Sequence, residues 1–97
     1  MNYKHYLLAA TLAFSSSVAL ACDKPASPVL PDPGKAVTAQ MIKAKNDMKA
    51  YIKSAEAYLK CVESDTNKYN HMVDEMQSAA ENFNAIVRKY KKRMGSA

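Results

Sequence analysis

The sequence predicts an all-α protein: a helical hairpin of two long antiparallel helices, preceded by an extended Pro-rich N-terminal arm stapled to it by a disulfide. Three observations carry that prediction. Apolar residues from Met41 to Tyr90 recur at spacings of three and four, the period of a helix face. All four prolines fall between residues 25 and 33, and none follows. The two cysteines, Cys22 and Cys61, bound segments whose lengths match once the chain reverses near Gly34.

At 97 residues the chain is one small domain. Two glycines in that length cannot supply the Gly-rich turns of a hydrolase or a dinucleotide-binding fold. A chain this short buries a small fraction of its surface and calls for a staple or a partner.

Residues 1–21 read as a signal peptide. Lys4 and His5 precede an apolar run from Leu7 to Phe14, and Ala19 and Ala21 supply an A-x-A site with cleavage before Cys22. The uncharged stretch from Tyr6 to Cys22 is 17 residues and contains three consecutive serines. A membrane span needs ~20 apolar residues, so an export signal is favoured over a retained anchor. Cleavage removes one basic residue, Lys4, and leaves 76 residues with 13 basic against 9 acidic, a net charge of +4.

The arm covers residues 22–37. Pro25, Pro28 and Pro31 recur every third residue, which places them on one face of a polyproline II helix. Asp32-Pro33-Gly34 then signals a turn. A structural arm is favoured over a ligand for proline-recognition domains, whose partners are mainly cytosolic.

The hairpin covers residues 38–94, with helices predicted at about 38–63 and 66–94. In the first, Met41, Ala44, Met48, Tyr51, Ala55, Tyr58 and Val62 form a heptad seam, with Ile52 and Leu59 beside it. In the second, Tyr69, Met72, Met76, Ala79, Phe83, Ile86 and Tyr90 repeat the seam, flanked by Val73, Ala80 and Val87. The stripe is wider than a two-helix seam requires and resembles a bundle face. Ser64, Asp65 and Thr66 are each suitable N-caps for the second helix. Its acidic residues come early and Arg88 to Arg93 come late, matching the helix dipole, and Gly95 is a plausible stop. Val62 and Tyr69 are seven apart, so a single helix of ~80 Å is the competing arrangement. The polar break from Glu63 to Lys68 favours the hairpin.

The cysteines fit the same geometry. Thr38 to Cys61 spans ~34 Å as a helix, and Cys22 to Pro33 spans ~34 Å as polyproline II. A chain reversing near Gly34 returns Cys22 to Cys61. The competing reading is a bacterial lipoprotein acylated at Cys22 after Val18-Ala19-Leu20-Ala21. Two cysteines in an exported, oxidising context favour the disulfide.

Cys22-x-x-Pro25, the Pro-Asp turn, Met41 to Tyr58-Leu59-Lys60-Cys61, Tyr69-Asn70-x-x-Val73-Asp74-Glu75-Met76 and Phe83-Asn84-x-x-Val87-Arg88 together resemble a family of small exported proteobacterial helical proteins with a paired-cysteine, Pro-rich N-terminal arm. The resemblance spans nearly all of the mature chain. It implies an exported protein with paired cysteines and brings no activity with it.

Catalytic chemistry is sparse. His71 is the only histidine of the mature chain. With Met72 and Met76 it suggests a soft-metal set, but methionines at helical spacing are usually core filler. Cys22 and Cys61 are 39 apart, unlike the close pair of a redox catalyst. The expectation is no enzyme, no catalytic residue, no metal and no cofactor.

Two roles remain. The favoured one is an exported structural or interaction protein of the periplasm or the medium. It self-associates, or binds an unknown envelope protein, through the stripe Met48, Tyr51, Ile52, Tyr58, Leu59, Met76, Phe83 and Ile86. The alternative is a binder of anionic lipid or lipopolysaccharide, membrane-anchored if Cys22 is acylated. It would use the basic patch Arg88, Lys89, Lys91, Lys92 and Arg93. Export argues against nucleic acid as a partner.

Overall fold

A computed structural model describes residues 23–95. The predicted signal peptide and Cys22 lie outside the described residues. After the arm come two helices, α1 (Thr38–Cys61) and α2 (Thr66–Gly95), and no strand occurs among the described residues. The single continuous helix is excluded, because the chain leaves helical geometry over residues 62–65.

Local chemistry fixes each boundary. Asp32 builds the turn between arm and α1. Its carboxylate accepts from the Gly34 amide at 2.9 Å, and its carbonyl accepts from the amides of Lys35 and Ala36 at 3.1 and 2.9 Å. α1 then opens without a polar side chain at its N-cap, Val37. Gln40 compensates, its side-chain oxygen accepting from the Val37 amide at 3.0 Å. At the other end the Val62 amide donates to the Tyr58 carbonyl at 3.1 Å, and Asp65 N–H donates to Val62 O at 2.8 Å. Of the three candidate caps, Asp65 opens α2. Its carboxylate takes the Lys68 amide at 3.2 Å and its carbonyl takes the Tyr69 amide at 2.9 Å.

The helices run antiparallel. Thr38 at the start of α1 shares a 2.8 Å hydrogen bond with the Tyr90 hydroxyl near the end of α2. The core lies on the predicted seam: Met48, Tyr51, Ala55 and Tyr58 of α1 pack with Met72 of α2, and Leu30 of the arm closes on them. Met72 is fully buried, a contribution of ~2 kcal/mol or more from its apolar area. The two helices are not equally covered. α1 buries five residues and α2 only Met72, so Met76, Ala79, Phe83, Ile86 and Tyr90 remain half-buried.

The arm keeps the three-residue rhythm. Pro25, Pro28 and Pro31 are half-buried, whereas Ala26, Ser27 and Val29 are exposed, Val29 at 96%. One face of an extended arm therefore rests on the hairpin. It borders α2 through Lys24 to Ser27, beside His71, Asp74 and Ala79, and borders α1 through Val29 to Pro31, beside Gln40 and Ala44.

Candidate functional site

The arm divides the hairpin surface into two unlike faces. In heptad terms, the residues beneath it on α1 (Gln40, Lys43, Asp47) and on α2 (His71, Glu75, Asn82) all lie on one flank of the seam. That flank is polar, and the arm runs along it while Gln40, Lys43, His71 and Asn82 stay exposed. The opposite flank carries Ile52 and Leu59 on α1 and Val73, Ala80 and Val87 on α2, all half-buried. Tyr69, predicted in the seam, lies 37% exposed at the start of α2 and shares a shallow groove with Leu59.

The predicted interaction stripe is thereby split. Met48, Tyr51 and Tyr58 lie inside the chain's own core, between 5% and 8% exposed, and offer little to a partner. Leu30 of the arm packs against the same core from outside the two helices. Met76 and Phe83 pack at the edge of that core, as do Ile52 and Leu59, while Ile86 is half-buried outside it.

The basic patch is corrected at one position. Arg88, Lys89, Lys91 and Lys92 are exposed, but Arg93 is turned inward. Its guanidinium donates to the Gly34 carbonyl at 2.6 Å and to the Ala36 carbonyl, and lies 5.4 Å from the centre of the Tyr90 ring. The sequence expectation counted Arg93 with its neighbours because the run is continuous. The carbonyls it holds are 57 and 59 residues away, a distance that charge patterning cannot bridge.

At the far end of the arm, Lys24 Nζ lies 2.9 Å from Glu75 Oε1, and His71 Nε2 lies 3.2 Å from the same oxygen. The hydrogen bond from Lys24 holds the Glu75 carboxyl below its ordinary range, and raises Lys24 above its own. Beneath them, burial raises the Tyr51 phenol, reinforced by the negative charge of Glu75. The Tyr51 hydroxyl is buried with no hydrogen-bond partner. This cluster holds the arm in place. It contains no nucleophile next to a base.

His71 and Met72 do not converge, since His71 is exposed and Met72 is fully buried. No group of three or more metal-ligating His, Cys, Asp or Glu residues occurs among the described residues. No described helix is long and apolar enough to cross a membrane. Cys61, at the end of α1, is not a free thiol.

No protein-family model matches the chain, and comparison with curated proteins and with solved structures finds no match.

Proposed function

We propose that this is a small exported, non-enzymatic interaction protein of the cell envelope. Its disulfide-stapled arm lies along one face of a helical hairpin and leaves the other to bind protein. The observation that carries this reading is the unequal burial of the helices. α1 buries five residues and α2 one, so most of the α2 seam, and the apolar margin of Val73, Ala80 and Val87 beside it, is only half-buried by the chain itself.

The staple is a disulfide between Cys22 and Cys61. Three facts support it: Cys61 holds no free thiol, it lies in heptad register with Asp47 and Gln40 beneath the arm, and the arm's described end reaches Glu75 of α2. Closing a ring of about 40 residues is worth ~4 kcal/mol by chain entropy. The intact mass of the exported protein tests this part. Loss of two hydrogens is expected, and a diacyl or triacyl increment would replace the staple with a lipid anchor.

Photo-crosslinking in exporting cells tests the binding face. A photoreactive residue at Ile52 or Ala80 should give protein adducts, and one at Ser27 on the arm should not. Adducts from Ser27 alone, or lipid adducts from the basic end in place of protein adducts, would overturn the reading in favour of the arm or of an anionic surface.

A further inference from the structure

We infer that the end of the hairpin where α1 begins and α2 finishes is a docking surface for an anionic lipid bilayer. The surface combines cations from both helices with apolar side chains that the fold leaves in water. It adds a second site to the protein-binding reading above and does not rest on it.

Charge is the first support, and the fold redraws the patch that the sequence confined to residues 88–93. The Thr38–Tyr90 hydrogen bond and the Arg93 clasp set the start of α1 level with the end of α2. In that antiparallel register Lys49 stands level with Ala79. The half of the molecule at this end, residues 32–49 and 79–95, holds nine of the thirteen described basic residues and three of the nine acidic ones, a net charge of +6. The other half carries a net charge of −2. Arg93 is occupied by the Gly34 and Ala36 carbonyls, and Lys43 pairs with Asp47. Lys45 and Lys49 of α1 and Arg88 and Lys91 of α2 are exposed. Their heptad positions put them on the flank opposite the arm or at its outer edge. The helix dipole accounts for cations in the last turn of α2 but not for Lys45 and Lys49, which lie in the N-terminal half of α1. Beside anionic headgroups, each such cation strengthens binding ~5-fold.

Exposed apolar side chains are the second support. Val37, Ile42 and Met94 are each more than half exposed, and all three belong to this end. Val37 caps α1, Met94 follows the inward-turned Arg93, and Ile42 stands level with Ile86. Ile42 and Met94 share the flank opposite the arm with Lys45, Lys49 and Lys91, and lie ~12 Å apart along the axis. One exposed apolar residue needs no explanation. Several set among cations have the composition of an interfacial membrane contact, in which apolar groups enter the headgroup boundary and cations meet the phosphates. A soluble polyanion would engage the cations and leave Val37, Ile42 and Met94 in water, so the bilayer is the occupant that uses both. The negative half is repelled by the same bilayer, which orients the hairpin with its basic end down.

Co-sedimentation of the mature, oxidised, unacylated protein with vesicles tests the inference. The protein should pellet with vesicles containing phosphatidylglycerol at low salt and less at high salt. With pure phosphatidylcholine it should stay in the supernatant. Lys45→Gln combined with Lys91→Gln should weaken partitioning ~25-fold, and Ile42→Ser combined with Met94→Ser ~10-fold. Lys53→Gln with Lys60→Gln, in the other half, should leave it unchanged. All six side chains are exposed, so the helical circular dichroism should stay that of the wild type. No pelleting at low salt, or equal pelleting with both lipids, would overturn the bilayer. A loss from the lysine pair alone, with Ile42→Ser and Met94→Ser indifferent, would assign the cations to a soluble polyanion. Equal losses from Lys53→Gln with Lys60→Gln would place the contact elsewhere. Protein adducts at Ile52 without vesicle binding would leave the protein-binding reading standing alone, and vesicle binding without those adducts would do the reverse.

Discussion

Replacing Arg93 by Ala removes the clasp that ties the C-terminal end of α2 to the base of the arm. Two donated hydrogen bonds are lost, to the carbonyls of Gly34 and Ala36, together with the stacking of the guanidinium on Tyr90. Ala36 is 2% exposed, so its carbonyl has little access to water as a substitute partner. A hydrogen bond from a charged donor contributes ~1.5–3 kcal/mol, and cation–π stacking at an exposed site ~0.5–1 kcal/mol. Arg93 is itself half-exposed, so water replaces part of the lower-end sum of ~3.5 kcal/mol and a net loss of ~2 kcal/mol is expected. In a domain of this size that lowers the melting temperature by roughly 8–16 °C. Arg93→Lys should recover less than half, because a single ammonium cannot hold two carbonyls in the planar fork geometry of a guanidinium. Thermal and urea melts measure the loss, and limited trypsin digestion reports accelerated cleavage after Lys35. Arg88→Ala is the control and should change stability by less than ~0.5 kcal/mol, as exposed surface substitutions do. If Arg93→Ala also fell within ~0.5 kcal/mol of wild type, or if Arg88→Ala matched it, the clasp would have no energetic meaning and the basic run would act as one solvated patch.

Tyr51→Phe removes a buried hydroxyl that has no partner, so it should be neutral or should stabilise the fold by up to ~1 kcal/mol; a loss above that in urea melts would reveal a hydrogen bond the hydroxyl makes. The arm latch should give stability a flat region at intermediate pH. Glu75 is depressed below its ordinary 4.5, so its contribution is present above that value and fades as pH falls through the folded value. Lys24 is raised above 10.5, so its contribution is present below that value and is lost as pH rises past it. The Tyr51 phenol is raised above 10.0, and because the unfolded chain ionises first, stability also falls above about that pH. Urea midpoints across pH should therefore decline at both ends, and Glu75→Gln should flatten the acid limb; an unchanged acid limb would show that Lys24 and Glu75 are not coupled to folding.

The parts of this structure that periodicity controls were readable before folding was known. The seam residues of α1 from Ala44 to Tyr58 are the ones buried, and Pro25, Pro28 and Pro31, together with Leu30 and Pro33, are the half-buried residues of the arm. α1 stops at Cys61, two residues short of the expected end, because the Val62 amide closes the last turn and Asp65 begins the next helix. What eluded the sequence depends on contacts between distant residues. The seams of the two helices read alike, yet the arm and α1 together leave most of the α2 seam half-buried. Lys24 and Glu75 are 51 residues apart, and each alone resembles any surface charge. Tyr51 read as one more apolar seam residue, and its stranded hydroxyl appears only once the core has packed around it.

The arm's way of attaching has a consequence for what its amides would report. Between Asp23 and Pro31 no backbone group of the arm joins a backbone hydrogen bond, whereas the amides of Lys35 and Ala36 are held by Asp32. Three of those nine residues are prolines with no amide hydrogen at all. Amide hydrogen exchange is slowed by hydrogen bonding and burial, and not by a fixed position as such. A fully docked arm would thus exchange its remaining amide hydrogens on the timescale of an unfolded peptide, and the first protected amides would begin at the turn. Judged by exchange alone, the residues that cover the core would look as if they had never folded.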